Sequence, residues 1–364
     1  ISACLVGSEM CIRDRKRINI ALLSVILAIT ITSCLDEHEF KERPTVDPPA
    51  PTEHFASGAD ISGVTEFEAK GVKFYNKAGE ERECTALMKE LGMNTIRLRV
   101  FVDHALDLCE KEDVLVKAKR VQALGMRLMI DFHYSDDFAD PGTQDIPAAW
   151  IDYDLNQMKQ AVADHTVDVL STLKENGIDV EWVQVGNETT GGMLWPMGNV
   201  DKNMGNYAVL TQAGYDAVKS VYPDAQVIVH LDRGNLLDIY TRIFNGLKLN
   251  NTKWDIIGMS FYPDAGDWQK QTDALTDNII TLSEKYGTPC MVVETGMLRN
   301  DPGTAREYFE YLFDKMMNDT KGYCRGILYW EPETYRESGY DKGAFSDDGK
   351  PTEALEPFNM SQYE

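Results

Sequence analysis

Basic residues are scarce in this chain: 36 Lys and Arg stand against 59 Asp and Glu, for a formal charge of -23 over 364 residues. Such a field repels a phosphate backbone, so nucleic-acid partners are excluded. Cysteine is sparse as well. None of the seven cysteines falls in a CxxC or zinc-like spacing, so zinc is not indicated. No Gly-X-Gly-X-X-Gly or P-loop follows any expected strand, and neither a Gly-X-Ser-X-Gly elbow nor a His-Glu-X-X-His helix is present. Hydrophobic residues at 43% and charged residues at 26% match a soluble globular domain, which excludes disorder over most of the length and a polytopic membrane protein. A chain of this size buries an ample core without disulfide or metal staples.

Long apolar runs are also missing. The run at residues 18–31, behind Lys16 and Arg17, is shorter than the roughly 20 residues a spanning helix needs, and reads as part of a signal peptide over 16–33. It closes with Ile31-Thr32-Ser33-Cys34, which resembles a bacterial lipobox. Cys34 is then the lipidated residue and the lipid its membrane anchor; an ordinary cleaved signal with a chance cysteine is the alternative. Residues 1–15 have no initiator Met at their start and read as foreign read-through. Residues 34–54 are acidic, carry Pro44, Pro48, Pro49 and Pro51, and lack periodicity, as a tether would. Acidic residues after the cysteine resemble those of surface lipoproteins of the Bacteroides group, so the expected location is the cell envelope, as a surface-exposed outer-membrane lipoprotein. An oxidising envelope allows disulfides. Cys290 and Cys324 start neighbouring expected strands and Cys84 and Cys109 lie near the ends of earlier ones; buried thiols are the alternative.

From residue 55 to 364 the pattern is that of one domain. Short apolar runs recur at 59–61, 95–101, 127–134, 182–186, 226–231, 254–261, 290–294 and 326–330. Amphipathic stretches with apolar residues three and four apart separate them, at 83–91, 114–124, 158–175, 207–221, 237–247, 272–286 and 305–317. Glycines 92, 125, 177 and 287 close several of these, as helix ends require. Eight alternations of strand and helix specify an α/β fold, the (β/α)8 TIM barrel, with an open doubly wound sheet as the alternative. Within strands, polar residues share a parity: Arg97 with Arg99, Asp131 with His133, His230 with Asp232, Ser260 with Tyr262, and Val292 with Glu294 are each expected on one face.

Charge therefore collects at the carboxyl ends of strands, where such barrels place their sites. Glu188 ends Val183-Gln184-Val185-Gly186-Asn187-Glu188, and Glu294 ends Met291-Val292-Val293-Glu294. Two carboxyls about 5 Å apart across a barrel mouth are the apparatus of a retaining glycosidase, one acid and one nucleophile. A pair with unequal proton affinities is needed, and Arg97 and Arg99 are expected to supply the cation. A strand-end glutamate can instead be a buried ion pair, and His133 and His230 are given positioning roles over general-base ones. Trp330, Tyr262, Phe138, Trp195 and Trp268 are candidate sugar platforms.

Several segments taken together resemble glycoside hydrolase family 53, the endo-β-1,4-galactanases of clan A. They are Gly58-Ala59-Asp60-Ile61-Ser62, Asn94-Thr95-Ile96-Arg97-Leu98-Arg99-Val100, Asp131-Phe132-His133-Tyr134-Ser135-Asp136, Gln184-Val185-Gly186-Asn187-Glu188, Val293-Glu294-Thr295, Tyr329-Trp330-Glu331-Pro332 and Gly343-Ala344-Phe345-Ser346-Asp347-Asp348-Gly349. The resemblance implies retaining hydrolysis of β-1,4-galactan in pectin, with Glu188 as acid/base, Glu294 as nucleophile, Asn187 on the substrate 2-hydroxyl, and Tyr262 and Arg97 holding the nucleophile. His133, Asp136, His230, Asp232 and Trp330 complete the expected site. No cofactor is required, a structural calcium ion is compatible with the family, and the chain is expected to be a monomer. Phe138 stands where relatives usually have Trp, and residues 333–342 lack a second tryptophan, which leaves subsite number open. A mannanase or cellulase of the same clan, or a glycan-binding lipoprotein without turnover, are the rival readings.

Overall fold

The computed structural model describes residues 55–335 and 339–363. The segments read as read-through, signal peptide, Cys34 and tether lie outside the described residues. Eight parallel strands close on themselves: β1 (Ala56–Asp60), β2 (Thr95–Val100), β3 (Arg127–Phe132), β4 (Trp182–Val185), β5 (Gln226–Leu231), β6 (Ile256–Phe261), β7 (Cys290–Thr295) and β8 (Cys324–Trp330), with β8 paired back to β1. Around them lie α1 (Cys84–Glu90), α2 (Lys111–Ala123), α3 (Leu155–Glu175), α4 (Val200–Val221), α5 (Leu237–Leu249), α6 (Trp268–Tyr286) and α7 (Pro302–Asp314). The expected (β/α)8 barrel is the observed fold. Among the described residues, no helix is long and apolar enough to cross a membrane.

Strand parity divides the core in two. Ala56, Met129, Trp182, Ile228, Ile256, Met291, Val293 and Leu328 point inward and fill the barrel floor, while their neighbours in sequence pack against the helices. Because successive side chains alternate, Met129, Trp182 and Ile228 are followed two positions later by Asp131, Gln184 and His230, one layer higher. That layer is polar: Arg97, Asp131, Gln184, His230 and Ser260 are all buried there. The floor thus sets the height of the site.

β1 begins three residues before the expected run, because Ala56-Ser57-Gly58 lacks bulky apolar side chains. Its small residues serve close packing instead. A Cβ on Gly58 would lie 1.9 Å from the carbonyl oxygen of Thr95, so only glycine lets β1 approach β2. The helix expected at 305–317 starts earlier, with Pro302 in its first turn, where a missing N–H costs nothing.

One parity expectation fails. Val292 packs among the helices, not on the face of Glu294, whereas Val293 belongs to the interior floor. The β6–β7 register slips by one residue here, pairing Met259 with Val292 but Ser260 with Glu294. Such a bulge lets two consecutive residues face one side. Val293 and Glu294 both point inward, and Thr295 returns to the helix side, where it hydrogen-bonds the Tyr308 hydroxyl at 2.6 Å.

The cysteine alternatives also separate. Cys84, Cys109, Cys290 and Cys324 are buried free thiols. Cys290 and Cys324 do sit opposite one another in the β7–β8 register, but Cys290 contacts the Ser283 hydroxyl at 3.5 Å and the Cys324 thiol is directed to the carbonyl of Gly326 at 3.6 Å.

Candidate active site

Arg97 stands at the centre of the polar layer with no exposed surface. Its Nη1 donates to Asp60 Oδ2 at 2.7 Å, and its Nη2 reaches Asp131 Oδ2 at 2.8 Å, Glu294 Oε1 at 2.7 Å and Asn187 Oδ1 at 3.0 Å. Its Nε donates to Gln184 Oε1 at 2.7 Å. A buried guanidinium is tolerated only when its charge is matched and its N–H groups are used, and three carboxylates meet that need. Removing one partner from such a network typically costs about 3–5 kcal/mol.

Each neighbour is fixed in turn. His133 Nδ1 accepts from the backbone of Ala139 at 2.9 Å, so Nε2 carries the hydrogen that it donates to Asp131 Oδ2 at 2.9 Å. Burial would raise the Asp131 carboxyl, but Arg97 and His133 outweigh it and hold it at about 2. Asn187 donates to the Ala139 carbonyl at 2.8 Å, and its own carbonyl accepts from Gln144 Nε2 at 2.8 Å.

Glu188 and Glu294 are brought together. One carboxyl oxygen from each, with a nitrogen of His230, lie within 4.8 Å of one another. This agrees with the separation of roughly 5 Å expected from their strand-end positions. Glu188 adopts a left-handed backbone, φ 45, following Gly186 at φ 88. Left-handed glutamate is strained, and such strain concentrates at functional sites. The turn lifts the side chain off the strand into the mouth.

Both carboxyls are pushed up by burial, but unequally. Glu294 rises to about 7, with Arg97 pulling against desolvation. Glu188 rises well above the usual carboxylate range because it is desolvated and faces Glu294. The direct ion pair decides the partition: the negative charge belongs on Glu294 and the shared proton on Glu188. Tyr262 supports this arrangement by donating to Glu294 Oε2 at 3.2 Å. His230 stays neutral, since burial and then Arg97 disfavour its cation. Both its ring nitrogens are engaged by protein groups and Arg97 supplies the positive charge, so this donor set does not suit a divalent cation. Among the described residues, no other cluster of three such donors occurs.

The remaining expected residues divide. Asp232 accepts from the Thr190 hydroxyl and, at 2.7 Å, from Arg233 Nε, beside Glu188. Trp330 ends β8 half-buried, edge-on to Tyr340 and to Phe138, with ring centroids 4.8 and 6.3 Å away. Asp136 is not brought to the pair; its Oδ2 caps the backbone N–H of Ala148 at 2.8 Å and closes the loop after β3. Arg99 does not serve Glu294 either. One layer further out, it pairs with Glu331 and stacks 4.4 Å from the Phe138 ring centroid. Trp268 is buried against Tyr308 and Tyr311 and offers no platform. Asp60, Gln184 and Ser260 were missed as site residues. The inward parity of Gln184 and Ser260 was a usable signal, whereas Asp60 looked like an ordinary strand end.

Against known sequences, the family model described as glycosyl hydrolase family 53 matches residues 56–303. The chain belongs to glycosyl hydrolase family 53. It is 34% identical over 310 residues to an uncharacterized protein of Niallia circulans, covering 77% of this chain and 84% of that one. Identity to arabinogalactan endo-β-1,4-galactanase A of Aspergillus niger is 32% over 298 residues, or 76% and 84% of the two chains. Among solved structures, a fungal β-1,4-galactanase superposes with a TM-score of 0.76 at 29% identity, over 84% of this chain and 98% of that one. As a family 53 glycoside hydrolase, the protein presents its carboxyl pair at the carboxyl ends of β4 and β7.

Proposed function

We propose that this family 53 enzyme is an arabinogalactan endo-β-1,4-galactanase, cleaving within galactan side chains of pectin with retention of configuration. The observation that carries the reading is the carboxyl pair within 4.8 Å, with Arg97 bonded to one member. Double displacement uses about 5–5.5 Å, whereas inversion needs about 6.5–9.5 Å to seat a water. The Aspergillus niger relative supports the galactan substrate.

In the first step, Glu188 gives its proton to the glycosidic oxygen as the C1–O bond breaks, and an oxygen of Glu294 bonds to C1. In the second, the oxygen of a water attacks C1, Glu188 takes its proton, and the bond to Glu294 breaks. Two carboxyls supply acid, base and nucleophile, so the reading requires no cofactor, and it is compatible with a structural calcium ion. Arg97 and Tyr262 hold Glu294, Asn187 reaches the sugar 2-hydroxyl, and Trp330 stacks on a sugar. His133 and His230 act through their hydrogen-bond partners, and Asp232 from beside Glu188. The enzyme acts as a monomer.

Digestion of linear β-1,4-galactan, followed by proton NMR and by product sizing over time, should show the β-anomer first and short galacto-oligosaccharides later. Cleavage of mannan or glucan with galactan intact would move the substrate to another β-glycanase class. No reducing sugar from any of them would make the protein a binder.

We further propose lipidation at Cys34 and display on the outer-membrane surface, supported by the Lys16-Arg17 segment, the short apolar run and Ile31-Thr32-Ser33-Cys34. Cells expressing the full chain with labelled palmitate should yield labelled membrane-bound protein, and Cys34→Ser should lose the label. An unlabelled, freely soluble native chain would contradict the anchor.

A further inference from the structure

The hydroxyl of Ser260 sits where three groups of the active site meet. Its Oγ lies 2.8 Å from His230 Nε2 and 3.4 Å from Glu294 Oε2, and an oxygen of Glu188 lies within 4.8 Å of a nitrogen of His230 and an oxygen of Glu294; the same hydroxyl lowers the proton affinity of Glu188. The residue is 1% exposed, so water does not substitute freely. Its place comes from the bulge described above, which sets Ser260 opposite Glu294 instead of Val293.

The network settles which partner supplies which hydrogen. Gln184 Oε1 accepts from Arg97 and its Nε2 donates to Asp131 Oδ1 at 3.0 Å, which fixes the amide. Nε2 of Gln184 therefore presents N–H to His230 Nδ1 at 2.9 Å, joined by the backbone N–H of Glu188 at 3.3 Å. Asn187 Oδ1, also 2.9 Å from Nδ1, already accepts from Arg97. The assignment that satisfies both donors leaves Nδ1 bare and places the imidazole hydrogen on Nε2, directed at Ser260. Ser260 then accepts from His230 and keeps one hydrogen of its own. Two carboxyls neighbour it, those of Glu294 and Glu188.

We infer that Ser260 is a positioning residue whose single hydroxyl hydrogen follows the negative charge from Glu294 to Glu188 and back during the two chemical steps. The inference rests on the double-displacement reading of those two glutamates. In the free enzyme the charge lies on Glu294, and the hydroxyl donates there. Once Glu294 is bonded to the sugar it is a neutral ester, and Glu188, having lost its proton, is the carboxylate. Rotation about the Cβ–Oγ bond then redirects the hydrogen to Glu188, stabilising it as the base for the second step. His230 remains a neutral donor throughout.

Other charges around the hydroxyl do not switch. Arg97 faces both carboxyls, with Asp60 and Asp131 on its far side, and Asp232 stands beside Glu188. Tyr262 and, through it, Tyr340 border Glu294 with phenols that burial keeps protonated.

Carboxyl carbon NMR of glutamate-labelled protein, titrated without substrate, tests this. Glu294→Gln makes position 294 neutral, as the ester would, and leaves Glu188 to titrate alone. Adding Ser260→Ala should raise its midpoint by about one pH unit, since a hydrogen bond favouring the charged form is lost. Glu188→Gln isolates Glu294, and adding Ser260→Ala should raise that midpoint similarly. Ser260→Cys, nearly isosteric and a weak donor, should move both midpoints in the same direction if the alanine variants fold poorly. A shift in only one background would mean a fixed hydrogen bond, and no shift a structural serine; either overturns the inference. These titrations need no turnover, so failure of the galactan reading would appear in the digests and not here.

Discussion

Glu294→Ala should abolish turnover of galactan, with a loss on the order of 10⁶-fold, the size found when a covalent nucleophile is deleted elsewhere. The variant is expected to fold. Arg97 keeps Asp60 and Asp131 at 2.7 and 2.8 Å, so it is not left as an unpaired buried cation. The vacated space lies against that guanidinium, which draws in a small anion. Azide should therefore restore part of the activity on a β-galactoside with a good leaving group, and the product should be the α-galactosyl azide, since attack comes from the face opposite the leaving group. Glu188 then has a lowered proton affinity, because the opposing charge of Glu294 is one cause of its elevation. Formation of the β-azide, or full activity without azide, would show that Glu294 is not the nucleophile.

Much of this was legible in the sequence because barrels expose a simple periodicity. Eight apolar runs separated by amphipathic stretches suit a closed barrel, although they fit an open doubly wound sheet as well, and alternation within 95–101 and 127–134 puts Arg97 with Arg99, and Asp131 with His133, on one face. The same rule failed at β7. Nothing in Met291-Val292-Val293-Glu294-Thr295 signals that the ladder slips between Val292 and Glu294, since a bulge is a property of two paired strands and not of one. Strand-end position still pointed to Glu294, but for a reason independent of parity. Arg99 and Asp136 show a second limit. Both lie in segments that also carry site residues, and only the tertiary arrangement reveals that Arg99 serves Glu331 and that Asp136 caps a loop. Asp60 was obscured for the opposite reason: its strand is built of small residues that carry little hydrophobic signal, although it binds the same arginine as Glu294.

Glu188→Ala should behave differently from the Glu294 variant, and the difference depends on the leaving group. In galactan the departing oxygen is an alkoxide that must be protonated as the bond breaks, and Glu188 is the group whose proton affinity is raised by burial and by the opposing charge. Its removal should cost natural galactan about 10²–10⁴-fold in kcat/KM, the usual contribution of a general acid. An aryl β-galactoside with an acidic phenol needs no such proton, so its kcat/KM should fall by less than about tenfold. Its kcat should nonetheless collapse, because the second step loses the base that deprotonates water, and a burst of phenol equal to the enzyme concentration should precede slow turnover. Azide needs no base and should relieve that step, giving the β-galactosyl azide, of opposite anomeric configuration to the product from the Glu294 variant. The basic limb of the kcat/KM profile should also disappear, since it reports loss of the Glu188 proton in the free enzyme. Equal losses on galactan and on the aryl galactoside, with no burst and no azide product, would show that Glu188 and its partner are a buried structural pair and that bond cleavage is carried out elsewhere in the barrel.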